Sequence, residues 1–340
     1  MKHIRTLVLI LCACFVSVAW SQEPAGKCYN SWAEFHRYNM QRWNRCEKVL
    51  NANNVGNLGL LWSYYTVGAM LSSPAAANGV VYIGSMNTDH RLYALEAKTG
   101  HKLWSYNIRG QVLSSPAVVN GVVYVGSYGS TGVVYALNAG TGAKLWSYTT
   151  GYPVESSPAV ANGVVYIGTD AGTVYALNAS TGALLWSYGT GGGVVSSPAV
   201  ANGVVYFGSF DHNVYALNAS TGAKLWSYTT GNVVVSSPAV ANGVVYVGSW
   251  DHNVYALNAS TGAKLWSYAT GNVVDSSPAV ADGVVYVASD DGNVYTLKAK
   301  TGAKLWSYST GYAGSSSPAV SNGVVYVGSL DGNVYALGLK

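Results

Sequence analysis

A unit of about forty residues is written seven times into this chain, and that repetition limits its fold more than any other feature. Leu-Trp-Ser-Tyr recurs with tryptophans at Trp62, Trp104, Trp146, Trp186, Trp226, Trp266 and Trp306. Ser-Ser-Pro recurs with prolines at Pro74, Pro116, Pro158, Pro198, Pro238, Pro278 and Pro318, and both series are spaced 42, 42, 40, 40, 40 and 40 residues apart. A period of this size marks a stacked array of small supersecondary units. Within residues 196–228, short β-branched and aromatic runs alternate with turn chemistry and carry no helical period. Ser197 to Val200 reads as one strand, Asn202-Gly203 as a tight turn, Val204 to Gly208 as a second strand and Val214 to Leu217 as a third. Ser220-Thr221-Gly222 then turns the chain into a fourth, Lys224 to Tyr228. Such spacing predicts four antiparallel strands per unit.

One thin four-stranded sheet cannot cover both of its apolar faces, so the units must bury them against each other. Closing the stack into a ring also protects the edges that an open array exposes. The expected fold is therefore all-β, a seven-bladed β-propeller over residues 60–340. Leu61 to Tyr64 reads as a fourth strand without a preceding three, and Val334 to Leu337 as a third without a fourth. The N-terminal strand is expected to complete the last blade. Each repeated tryptophan would bury roughly 150–250 Å² between neighbouring blades, a structural role.

Lys2 and Arg5 precede an apolar run from Leu7 to about Trp20, with Ala19 and Ser21 at its end. Residues 1–21 read as a secretory signal peptide, because about 14 apolar residues fall short of the roughly 20 that span a bilayer. Leu11-Cys12-Ala13-Cys14 loosely resembles a lipobox, so lipidation at Cys14 is a lesser alternative. A periplasmic or secreted location follows, with no transmembrane segment in the mature chain. Of the four cysteines, Cys28 and Cys46 then remain. In an oxidising compartment they are expected to pair, two free thiols being the alternative. They lie in a non-repeat extension, residues 22–59, where Trp32, Phe35, Met40 and Trp43 fall on one broad side of a short amphipathic helix, with Tyr38 out of pattern. The formal charge of +4 is confined to the beginning of the chain. From Trp62 onward 11 Lys and Arg balance 11 Asp and Glu. A neutral ring argues against nucleic acid as a partner.

Ala216-Leu217-Asn218-Ala219-Ser220-Thr221-Gly222-Ala223-Lys224-Leu225-Trp226 resembles the tryptophan-docking motif of pyrroloquinoline-quinone (PQQ) type propellers, and six near-copies of it are present. That family includes quinoprotein dehydrogenases and BamB, the propeller lipoprotein of the outer-membrane β-barrel assembly machinery. The lead-in from Asn54 to Tyr64 is similar to that of the dehydrogenases. The usual acidic docking residue is replaced by Asn138, Asn178, Asn218 and Asn258, with Glu96 and Lys298 in the other copies. Asparagine also accepts hydrogen bonds in a turn.

The resemblance implies two functions. The dehydrogenases are larger, usually have eight blades, and clamp PQQ between a tryptophan and a disulfide of adjacent cysteines, over calcium held by acidic and amide side chains. No adjacent cysteines occur here. Catalysis also needs different groups converging on one centre, whereas residues 193–230 and 233–270 are near-copies. The expectation is a non-catalytic, cofactor-free, monomeric scaffold for an envelope protein or peptide, similar in role to BamB. A small PQQ-dependent dehydrogenase of alcohols or sugars, with calcium, is the alternative. Asp211-His212, Asp251-His252, Asp290-Asp291 and Asp331 sit in equivalent turns and read as turn formers before metal ligands. On the variable face, Tyr128, Tyr152, Phe210, Trp250 and Tyr312 are the candidate partner-binding residues, against drift in tolerant loops.

Overall fold

The computed structural model describes residues 43–44, 61–66, 71–86, 89–311, 316–321, 324–329 and 333–338. The signal segment with Cys14, Cys28 and Cys46, most of the expected helix, Tyr312 and Asp331 lie outside these residues. Seven four-stranded sheets carry the fold, and the described residues contain no helix. None is therefore long and apolar enough to cross a membrane among them.

The fourth blade stands for the others. Its strands run Ala199–Ala201, Val204–Gly208, Asn213–Asn218 and Lys224–Thr229, from the innermost to the outermost. Asn202 and Gly203 both take positive φ, 50° and 76°, as their turn requires. Between the third and fourth strands the register shifts at Ala216/Leu217, so that Ala216 faces Trp226 and Leu217 already faces Lys224. This bulge drops Leu225 from the ladder. Lys224 and Leu225 are both exposed while Trp226 is buried.

The third strands of the second to sixth blades are buried on both sides because a blade lies against each of their faces. The core is accordingly split into clusters between blades: Tyr206, Val214 and Trp226 of the fourth pack with Val240, Val245 and Leu257 of the fifth. The Trp226 indole N–H donates to the Ala259 carbonyl at 2.9 Å, and the Tyr206 hydroxyl donates to the same oxygen at 3.1 Å. Gly262, at φ 73°, lies flat under the indole; a Cβ there would sit 2.7 Å from ring carbon Cδ2. Asn258 completes the docking turn, its side-chain oxygen accepting from the Ser260 and Thr261 amides. Identical bonds hold Trp104, Trp146, Trp186 and Trp266 to Ala139, Ala179, Ala219 and Ala299.

The last blade differs in detail from the sequence expectation. An N-terminal strand does supply its fourth member, but this is Trp43–Asn44, paired in parallel with Ala319–Ser321 at the inner edge. Trp43 is thus in a strand where a helix was expected, because the open inner edge offers backbone groups to pair with. Leu61 to Tyr64 has no ladder partner among the described residues. Its side chains nonetheless dock on the first blade: the Trp62 indole donates to the Ala97 carbonyl at 3.0 Å, and Tyr64 packs on Tyr93 at 5.7 Å.

Candidate functional site: the mouth of the axial cavity

Ser-Ser-Pro turns each link into the innermost strand, and its two serines do different work. The first closes its own blade: Ser196 Oγ accepts from the Gly208 amide at 3.0 Å. The second joins neighbours, the Ser197 amide donating to Ser237 Oγ at 2.9 Å. The same bond links Ser73, Ser115, Ser157, Ser197, Ser237, Ser277 and Ser317 in succession. All seven border a single cavity of about 580 Å³.

Above this hydroxyl floor stands the residue just before each serine pair. Leu71, Leu113, Val195 and Val235 make it mostly apolar, with Glu155 on the third blade and Asp275 on the sixth. Turns between second and third strands lean in over these positions and bring Phe210 and Trp250 to the cavity. The two rings stay 42% and 37% exposed, and the Trp250 indole N–H donates to Asp275 Oδ1. Of the other candidates, Tyr128 is half-buried in a two-stranded bridge with Gln111, and Tyr152 is 56% exposed. Neither borders the cavity.

The acidic turns are clasps. Asp211 accepts from the Tyr215 hydroxyl at 2.7 Å, from Asn213, and from the Gly191 amide of the preceding link at 2.8 Å. Asp251 and Asp291 repeat this with Tyr255 and Gly231, and with Tyr295 and Gly271. Burial works upward on the Asp211 and Asp291 carboxyls, but these hydrogen bonds outweigh it and hold both below the ordinary carboxylate value. Asp170 and Asp290 occupy the Phe210 and Trp250 position of their blades. One oxygen of each is buried without a partner. Burial raises both, with the Asp291 charge adding to Asp290. Glu155 is raised as well, by partial burial and then by the charge of Asp170. His212 and His252 take left-handed φ of 70° and 71° inside the turns. Among the described residues no three His, Cys, Asp or Glu side chains gather as a metal site.

The sequence profile of a PQQ-repeat family described as outer membrane protein assembly factor BamB matches residues 41–153, 130–238 and 211–340. The chain belongs to the BamB family. BamB from Moraxella catarrhalis is 23% identical, over 82% of this chain and 88% of that one, with a TM-score of 0.71. The computationally designed Ika8 protein is 19% identical over 79% and 83%, at 0.70. A europium-containing methanol dehydrogenase is 15% identical over 92% and 86%, at 0.77. These three share the fold with this BamB-family chain. No curated protein matches it.

A quinone clamped over calcium requires a cluster of acidic and amide ligands. The described lining of this BamB-family cavity supplies two carboxylates three blades apart, and the Trp250 indole already occupies Asp275. That donor set does not fit the cofactor. Phe210 and Trp250 are visible in the sequence as departures from the repeat, whereas nothing in Ser-Ser-Pro itself marks its serines as the lining of a cavity. In the column preceding that motif Glu155 and Asp275 stand out among the variable link residues, whereas Leu71, Leu113, Val195 and Val235 do not.

Proposed function

We propose that the chain is a non-catalytic binding scaffold of the cell envelope, taking an extended peptide or a segment of a partner protein at the cavity mouth. One observation carries this reading: Phe210 and Trp250 stand half-exposed over an apolar arc and a floor of seven equivalent serines. Aromatic rings beside a pocket are the usual anchors of a binding surface. Serines repeated by symmetry offer hydrogen bonds anywhere around the axis but no unlike pair for acid and base work. The description of the family, outer membrane protein assembly factor, is of the same kind.

Affinity capture from envelope extracts tests it. Phe210→Ala and Trp250→Ala are expected to lose the partners held by the unaltered chain, and Tyr152→Ala, on the same face but off the cavity, to keep them. Identical partners in all three variants sink the proposal. The competing reading, a small quinoprotein dehydrogenase, draws on the lead-in from Asn54 to Tyr64. Titration with PQQ and calcium decides it, and no quinone spectrum and no dye reduction are expected.

A further inference from the structure

The balanced charge of the ring conceals an uneven distribution between its two faces. Turns joining first to second and third to fourth strands lie on one face, as the bond from the Ala219 amide to the Gly203 carbonyl shows. The links and remaining turns lie on the other, as the bond from the Phe210 amide to the Gly193 carbonyl shows. Every described lysine of the ring falls at the first face. Lys102, Lys144, Lys224, Lys264 and Lys304 open five outer strands at one register, and Lys98, Lys298 and Lys300 sit in or beside the preceding turns. All eight are exposed. Only Glu96 and Asp282 oppose them there, and the other eight described carboxylates lie on the mouth face with Arg91 and Arg109.

Beside each of the five register lysines the bulge holds out a leucine. Leu103, Leu145, Leu225 and Leu265 are 51% exposed and Leu305 54%. Lysine on an edge strand guards against sheet-to-sheet pairing. That role accounts neither for the lysines in turns nor for the removal of carboxylates to the far face. Cationic heads interleaved with exposed aliphatic side chains are the composition of surfaces that lie on anionic bilayers.

We infer that this lysine and leucine rim docks on an anionic lipid bilayer, lying flat with the cavity mouth turned away. The inference is independent of what the mouth binds. A second copy is a poor complement, because Asp211, Asp251 and Asp291 are engaged by their own Tyr and Gly partners, while Glu155 and Asp275 lie at the axis and the lysines at the perimeter. Nucleic acid is a poor one too. The face has no arginine among the described residues, and Trp62, Trp104, Trp146, Trp186, Trp226 and Trp266 dock inward, Trp306 excepted.

Co-sedimentation of the full chain with vesicles tests this, comparing phosphatidylcholine mixed with phosphatidylglycerol against phosphatidylcholine alone. Binding is expected only with the anionic lipid and is expected to weaken with salt. A variant carrying Lys→Gln at 102, 144, 224, 264 and 304 should bind at least about tenfold more weakly, and the Lys→Arg counterpart should not. Circular dichroism checks that both variants fold. Equal binding to neutral vesicles, no binding to either, or an unaffected glutamine variant overturns the inference. So does low-salt self-association that the glutamine variant abolishes without any vesicle binding, which would assign the face to a second copy.

Discussion

Trp226 and Trp306 belong to the same tetrapeptide on equivalent outer strands, yet one is 8% exposed and the other 45%. Across from Trp226 lies the turn Asn258 to Gly262, with a carbonyl for the indole N–H and a glycine beneath the ring. The Trp306 indole leans on Tyr308 of its own strand instead, at 5.8 Å and 22°. A repeated residue therefore does not carry a repeated energy. Its worth is set by what stands across the seam from it.

Equilibrium urea unfolding puts a magnitude on that difference. Trp226→Ala is expected to cost about 3–5 kcal/mol, as for large aromatic truncations in a packed core, and Trp306→Ala less than about 1 kcal/mol. Equal losses would erase the distinction. A second contrast concerns the end of each second strand. Gly208 meets Val234 of the next blade, where an added Cβ would fall 2.3 Å from Cγ1. The sixth blade has Ala288 in that place, and the valine column reads Gly314. Gly208→Ala alone should destabilise by about 1–3 kcal/mol through overpacking, and adding Val234→Gly should recover part of the loss. A double variant no better than the single one would show that the natural swap is not compensatory.

The smallest effects are in the turn carboxylates. Asp291 is held below its ordinary pKa, so its contribution is complete above the unfolded value, about 3.9, and is lost as pH falls through the folded one. Asp290 is raised, so its ionisation opposes folding above the folded pKa, and that penalty fades as pH falls towards the unfolded value. Thermal unfolding at neutral pH should show Asp291→Asn lowering the midpoint and Asp290→Asn raising it. Both differences from the unaltered chain should vanish in acid. The same sign for both variants would contradict the assignment of clasp and orphan.

Much of the blade was legible in the residues. Asn202-Gly203 placed the first turn, and the second strand runs from Val204 to Gly208 as read. The docking tryptophans stood out because one indole per unit has to be buried somewhere. The bulge at Leu217 was not legible, since Lys224-Leu225-Trp226 alternates like any strand until the partner register is known. Nor was the inner-edge pairing of Trp43–Asn44, which rests on backbone groups that carry no side-chain signature. At the mouth, Phe210 and Trp250 were visible as departures from the repeat, whereas the serines were hidden by their constancy. Charge misled in a further way: a sum of zero says nothing about direction, and only the alternation of turns between two faces turns it into a polarity.

Near-identity between sister blades has a cost for assembly. The cores on either side of the fourth and fifth blades are built from interchangeable residues, so a nascent sheet gains almost as much by lying beside the wrong sister as beside the right one. Side-chain complementarity cannot impose the order. The short tethers between blades must impose it, and the few loop residues that tell one blade from another are also those that give the mouth its character.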